Sequence, residues 1–206
     1  MVDCGLPLVL ASASPRRKAL LASLGIDFEV IPSQASEIDY GNSPTEIVER
    51  NALIKCEEVV KRLTYPAVVI SADTLVFLEG EVLSKPKDFA DAKRILRLLS
   101  GNTHQVITGL AVINTKDKKK FQGSETTDVT FRSLSDEEIE TFIKIVNPLD
   151  RAGAYTVDGP GSLLVSRYDG CYYNVLGLPL VRLDKLLRKA EVNLFSRMRR
   201  DKATFL

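Results

Sequence analysis

"LPLVLASASPRRKALLASLG", residues 6–25, runs from an apolar stretch into two hydroxyls, a proline and two guanidiniums, then into an apolar stripe at helical spacing. Residues 6–10 read as a buried strand. Ser14 before Pro15 reads as a helix start, because a serine hydroxyl can accept from an unpaired backbone N–H and proline at the first helical position gives up a donor that has no partner there. Leu20, Leu21 and Leu24 carry the stripe and Gly25 ends it. The unit is strand, tight polar turn and helix, which sets an α/β fold. A helix N-terminus collects unpaired N–H groups and attracts anions, so Ser12, Ser14, Arg16 and Arg17 are candidate anion-binding residues. A capped helix with solvated arginines accounts for the same stretch equally well.

The chain has 206 residues, enough for one core or for two lobes sharing one. Its charges nearly cancel, at a formal +1, so no global field points to nucleic acid or a membrane surface, and any anion site must be local. Cys4, Cys56 and Cys171 stand far apart and in odd number, which fits neither a disulfide framework nor a zinc cluster and points to a reducing compartment. The first residues lack the pattern of a secretory signal, and no stretch reaches the ~20 apolar residues of a membrane span. The expectation is a cytoplasmic protein with no nucleic-acid and no membrane partner.

Farther along, residues 27–31 alternate as a strand does, and residues 33–42 form a polar loop. Ser43-Pro44-Thr45-Glu46 predicts a capping box opening a helix that runs to about residue 63. Residues 67–77 are β-branched and apolar except at 71–74, where polar residues interrupt a buried strand, and Glu79-Gly80 turns a hairpin back to Leu83. A helix is expected over residues 88–99. Residues 105–114 and 122–132 read as antiparallel strands around a lysine-rich turn at 115–120, a solvated tip. Ser135 opens a helix that Asn147-Pro148 stops. Residues 163–168 and 172–176 predict a hairpin around Asp169-Gly170, residues 181–192 a final helix, and residues 193–206 a basic tail, frayed at 197–200. The expected architecture is one domain, residues 1–206, with a mixed, partly antiparallel twisted sheet flanked by helices.

Asp73 lies within an apolar strand, where an unpaired carboxylate is too costly to keep, so it must meet a cation, a metal or a hydrogen-bond cluster. Lys55 falls among apolar residues in the later turns of the second helix, and Lys85 precedes a proline in a hairpin mouth. With Arg16 and Arg17 they can form a cationic wall. A cationic wall, a helix N-terminus and an acid suit a polyphosphate carried with a divalent metal, held by Asp73 and Glu37, since Mg²⁺ takes few carboxylates and keeps several waters. The single histidine, His104, argues against a histidine metal site or relay and reads as structural. Ser14 lacks the Gly-x-Ser-x-Gly surroundings of a nucleophile elbow.

"LASASPRRKALLASLGIDFEV", "SADTLVFLEGEVLSKP", "LSGNTHQVITGLAV" and "PLDRAGAYTVDGPGSLLV" resemble, in order and spacing, the signatures of the Maf-type nucleoside triphosphate pyrophosphatases. The resemblance runs from about Leu8 to Leu183 and is closest to the dTTP/UTP branch. It implies hydrolysis of a nucleoside triphosphate to monophosphate and pyrophosphate, a divalent cation (Mg²⁺ or Mn²⁺), a homodimer, and two lobes around a cleft in a fold like that of inosine triphosphate pyrophosphatases. Residue by residue, it assigns the first signature arginine to Arg16, the general base to Asp73 with Thr74 beside it, phosphate-binding lysines to Lys55 and Lys85, and the loop acid to Glu37. Ser12, Ser14 and Arg17 then cradle the triphosphate. Pyrimidine-selective members carry a glutamine where this chain has Asp158, and the branch acting on 7-methyl-GTP has an acid there with different neighbours. A rival class, suggested by the family name, is a regulator of septum formation that binds nucleotides without turning them over.

Overall fold

In the computed structural model, which describes residues 3–204, the opening motif forms as strand β1 (Leu8–Leu10) and helix α1 (Pro15–Ser23), with Ser14 accepting from the Arg17 amide. The chain resolves into two compact units. One comprises Met1–Asp73, Thr108–Glu125 and Gly177–Leu206, the other Thr74–Ile107 and Thr126–Leu176. The remaining strands are β2 (Glu29–Val30), β3 (Val68–Leu78), β4 (Glu81–Leu83), β5 (Thr103–Asn114), β6 (Lys119–Phe131) and β7 (Val165–Asp169). They are ordered β2-β1-β3-β5-β6-β7, with β4 added to β3. β1 pairs in parallel with β2 and β3, matching Leu8 to Val68 and Leu10 to Ile70, while β3–β4 and β6–β7 are antiparallel. The sheet is mixed, as expected.

In the first unit the period-2 rule sorts the strand residues into two layers. Leu8, Leu10, Val68, Ile70, Ala72, Leu110 and Val112 face a core completed by Leu21 of α1 and by Leu183, Leu186 and Leu187 of helix α6 (Leu180–Lys189). Val9, Ala11, Val69, Ala111 and Ile113 face the opposite layer, with Ala52, Cys56 and Val59 of helix α2 (Pro44–Arg62). Asp73 shares the parity of Val69, which turns it toward α2. Gly109 allows the helix to approach closely: a Cβ there would lie 2.4 Å from the backbone C and O of Val48.

The second unit packs helices α3 (Phe89–Leu99) and α4 (Asp136–Val146) over Val76, Val106, Val129 and Phe131. Ser135 and Glu138 form a reciprocal capping box on α4. On α2 the box is incomplete: Ser43 accepts from the Glu46 amide, but Glu46 bonds back to Asn42.

Two further expectations are corrected. Residues 163–176 do not make a hairpin, because β7 takes β6 as its partner. The Thr127 hydroxyl accepts from the Cys171 N–H and donates to its C=O, both at 3.0 Å, and so occupies groups a second strand would need. Tyr172–Val175 closes into one turn of helix, α5. The C-terminal segment is not frayed at 197–200. Leu194, in the short helix α7 (Leu194–Arg197), is buried. Arg197 bonds the Asp3 carboxylate and the Leu6 carbonyl, and that guanidinium holds the Asp3 carboxyl well below its ordinary range. The Arg199 amide donates to the Gly25 carbonyl, and a Cβ on Gly25 (φ +68°) would lie 2.5 Å from the Arg199 oxygen, so this helix stop needs glycine.

Candidate active site

The turn after β1 is organised by its own hydroxyls. Ser12, nearly buried, accepts from the Ser14 amide at 3.2 Å and from Arg17 Nη1 at 3.5 Å, while Arg17 Nε donates to the Gly177 carbonyl at 2.8 Å. Burial pushes the Arg17 guanidinium below its ordinary value, Asp73 and Glu37 oppose that shift, and Arg16 adds to it. The four groups therefore share one electrostatic neighbourhood. Arg17 is clamped by backbone and hydroxyl, whereas Arg16 is half-buried on the first turn of α1.

Across the layer, α2 presents Asn51 and Lys55 four residues apart on one face, toward β3. Lys55 Nζ lies 2.7 Å from Asp73 Oδ1 and 2.5 Å from Glu37 Oε1. Asn51 Nδ2 donates to Asp73 Oδ2 at 3.1 Å and to the Ile38 carbonyl at 2.9 Å, and Asn51 Oδ1 accepts from the Ile38 amide at 2.8 Å. The buried acid expected from the sequence thus finds both a cation and a neutral donor. Two carboxylate oxygens converge on one cationic centre, a hard all-oxygen set of the kind that suits a divalent ion completing its shell with water and phosphate. Among the described residues no group of three or more His, Cys, Asp or Glu gathers as a metal cluster. Cys56, on the same helix, is buried and its thiol is pushed up to about 12, which leaves it inert as a nucleophile.

In the second unit, Thr74 is half-buried on β3 next to Asp73, and Lys85 is exposed after β4. Asp158 is exposed; its Oδ1 accepts from the Thr156 hydroxyl and lies 4.0 Å from Arg151 Nη1. His104 is structural: buried, with Nε2 2.8 Å from the Tyr155 hydroxyl.

The Maf-like protein family model matches residues 7–190. The chain belongs to the Maf-like protein family. This Maf-like chain is 44% identical over 184 residues to the dTTP/UTP pyrophosphatase of Dictyoglomus thermophilum, covering 88% of this chain and 95% of the relative. It is 46% identical over 192 residues to the dTTP/UTP pyrophosphatase of Moorella thermoacetica, covering 93% and 98%. A solved dITP/XTP pyrophosphatase from Mycobacterium abscessus aligns at a TM-score of 0.42 with 19% identity, over 63% of this chain and 76% of that one.

In this Maf-like chain the structure brings together Arg16, Arg17, Glu37, Lys55 and Asp73, within the first unit. Sequence reasoning missed Asn51. The available signal was an amide on the buried stripe of α2, one helical turn before Lys55, where an apolar residue would otherwise stand.

Proposed function

We propose that this chain is a nucleoside triphosphate pyrophosphatase that hydrolyses the α–β phosphoanhydride bond of dTTP or UTP, releasing the monophosphate and pyrophosphate. The observation that carries the reading is Asp73, a buried acid held by Lys55 and Asn51 beside Glu37, in a chain so similar to proteins named dTTP/UTP pyrophosphatase. A pure binder of a polyanion gains little from an acid there, whereas hydrolysis needs a group to take a proton from water.

Asp73 Oδ1 accepts that proton as water attacks the α-phosphorus. Lys55, free to swing on its four-carbon stem, exchanges a carboxylate contact for a phosphate oxygen as the substrate enters. Arg16 and the N-terminus of α1 take the phosphates, with Arg17 fixed behind them and the Ser12 and Ser14 hydroxyls shaping the turn. Asp73 and Glu37 would hold a divalent cation, whose charge would offset that of the leaving pyrophosphate. Catalysis is positioning and electrostatics, and no covalent enzyme intermediate is required. From the family resemblance, Thr74 supports Asp73, Lys85 serves the phosphates and Asp158 stands at the base-reading position. The same resemblance supports a homodimer, and a cytoplasmic location rests on the reduced cysteines expected from the sequence.

Asp158 favours one second reading. A carboxylate only accepts hydrogen bonds, which suits the two donors of a guanine edge, so 7-methyl-GTP or another purine triphosphate is the alternative substrate. Pyrophosphate release from dTTP, UTP, CTP, ATP, GTP and 7-methyl-GTP, with Mg²⁺ or Mn²⁺, separates these. Fastest release from dTTP and UTP supports the first reading, preference for a guanine nucleotide the second. Tight binding without release would support the regulator.

A further inference from the structure

Asn51 uses its amide in full view of two catalytic elements. Its C=O and one N–H pair with the N–H and C=O of Ile38, at 2.8 and 2.9 Å, as a neighbouring strand would pair with a peptide unit. Ile38 lies in the loop of residues 31–42, which has no regular secondary structure, so this side chain supplies the peptide partner that a strand would give Ile38, while Glu58 and Arg62 of the same helix hold the loop farther back, at the Gln34 amide and the Pro32 carbonyl. Asn51 also donates at 3.1 Å to Asp73 Oδ2. Glu37 is adjacent to Ile38 in the chain.

We infer that Asn51 is a positioning residue that couples the Glu37 loop to the catalytic Asp73, holding the two carboxylates at one point while Lys55 moves. The inference rests on the proposed hydrolysis and deepens it. Lys55 alone cannot keep the pair together, since once its ammonium turns to a phosphate, and until a cation takes its place, the two carboxylates repel each other. Asn51 restrains them without adding charge. A lysine or arginine at this position would neutralise the site that a cation and an attacking water must use, and a leucine would leave the buried Asp73 Oδ2 without this donor and the half-buried Ile38 amide without this acceptor. An amide is the side chain that offers a peptide-like edge and a further N–H at once.

The test compares wild type with Asn51→Leu, which keeps the branched outline without the polar atoms, and measures two quantities: amide hydrogen exchange across residues 31–42, and kcat and KM for dTTP and UTP. The expected result is loop exchange at least tenfold faster, with exchange in α2 and β3 unchanged, and kcat down at least tenfold with KM within threefold. A folded variant with wild-type loop exchange, or with wild-type kcat, overturns the inference, as does accelerated exchange spread evenly over the whole first unit, which marks a merely structural loss. If Asn51→Leu does not fold, Asn51→Ser is read by the same criteria. If wild type releases pyrophosphate from no triphosphate, the proposed function fails, and exchange alone decides whether Asn51 holds the loop.

Discussion

The two units each bury a polar cluster, and they do so in opposite ways. In the first, Lys55 pairs with Asp73 and Glu37, with side-chain exposures of 13%, 11% and 59%, so the ion pairs are reachable from solvent. In the second, His104 and Tyr155 are nearly sealed, edge-to-face with each other and with Phe131 at centroid separations of 4.9–5.4 Å, and burial pushes the imidazole down to about 4. The imidazole is therefore neutral at ordinary pH. On the proposed function, charge is retained where a multiply charged ligand would exchange partners with it, and a neutral hydrogen bond suffices where a segment only has to be held. Tyr155 belongs to the segment that ends at Asp158, and Gly153 two residues earlier donates to the Ser84 carbonyl beside Lys85, so the neutral cluster anchors two candidate ligand-binding loops.

The contrast breaks if the charged cluster proves dispensable. Asp73→Asn should lower turnover by roughly 10²- to 10⁴-fold, the loss expected for a positioned base, while leaving thermal unfolding nearly unchanged. It is checked by single-turnover pyrophosphate release alongside a melting curve. Wild-type turnover in the folded variant would remove Asp73 from the chemistry.

The neutral cluster is tested by pH. The folded-state value of His104 lies below its ordinary 6.5, at about 4, so the unfolded chain takes up the proton first as pH falls. Stability from the neutral imidazole is complete above pH ~6.5 and is lost progressively down to pH ~4, by about 3 kcal/mol. Urea unfolding at pH 7 and pH 4.5 should show that loss in wild type, and His104→Gln, which still offers Tyr155 a partner but does not titrate, should flatten the slope. An equally steep slope in the variant would assign the acid sensitivity in this window to groups other than His104; Asp3 is not among them, because its Arg197 partner holds its carboxyl below the ordinary range and its contribution is lost only at more acid pH.

A third substitution separates the units. Gly109→Ala forces a Cβ against the Val48 backbone, which must shift because no flexible side chain stands there to give way. The cost expected for such overpacking is about 2 kcal/mol, and because Asn51 and Lys55 ride on the displaced helix, kcat should fall with it. The His104 pH slope should survive unchanged. Loss of stability with wild-type kcat would show that the α2 register does not set the Lys55–Asp73 contact.

How much of this was legible in the sequence depended on whether one local rule decided each element. Ser14-Pro15, the Glu79-Gly80 turn and the capping box at Ser135 form as the chain implies, because each is decided within four residues. The pairing of Asp73 with a cation was legible as a necessity, from an acid in an apolar strand, but its neutral donor was not, since Asn51 stands on another element 22 residues away and its other partner, Ile38, lies in a loop with no pattern of its own. The predicted 163–176 hairpin failed for the converse reason. Its Asp-Gly turn is a sound local signal, overruled by the Thr127 hydroxyl from a distant strand. The basic tail likewise read as solvated charge until Asp3, at the other end of the chain, supplied a partner for Arg197.

The smallest expected effect concerns Asp158, and it sharpens the comparison by asking what the loop held by the neutral cluster recognises. A uracil or thymine edge presents an N–H flanked by carbonyls, which a glutamine amide meets with one acceptor and one donor, whereas an aspartate only accepts. One of the Asp158 oxygens already takes the Thr156 hydroxyl, and Arg151 stands 4.0 Å away, so part of its accepting capacity is spent within the loop. Asp158→Gln should therefore raise the kcat/KM ratio of dTTP over GTP by about tenfold, the order of one hydrogen bond gained at a pyrimidine carbonyl. Thr156→Val, which frees the aspartate oxygen without changing its charge, should move the same ratio the other way if the carboxylate faces the base. If neither variant changes the ratio, Asp158 serves only its own loop, and the backbone of Gly159-Pro160-Gly161, whose peptide groups cannot be altered by a side-chain substitution, becomes the candidate reader of the base.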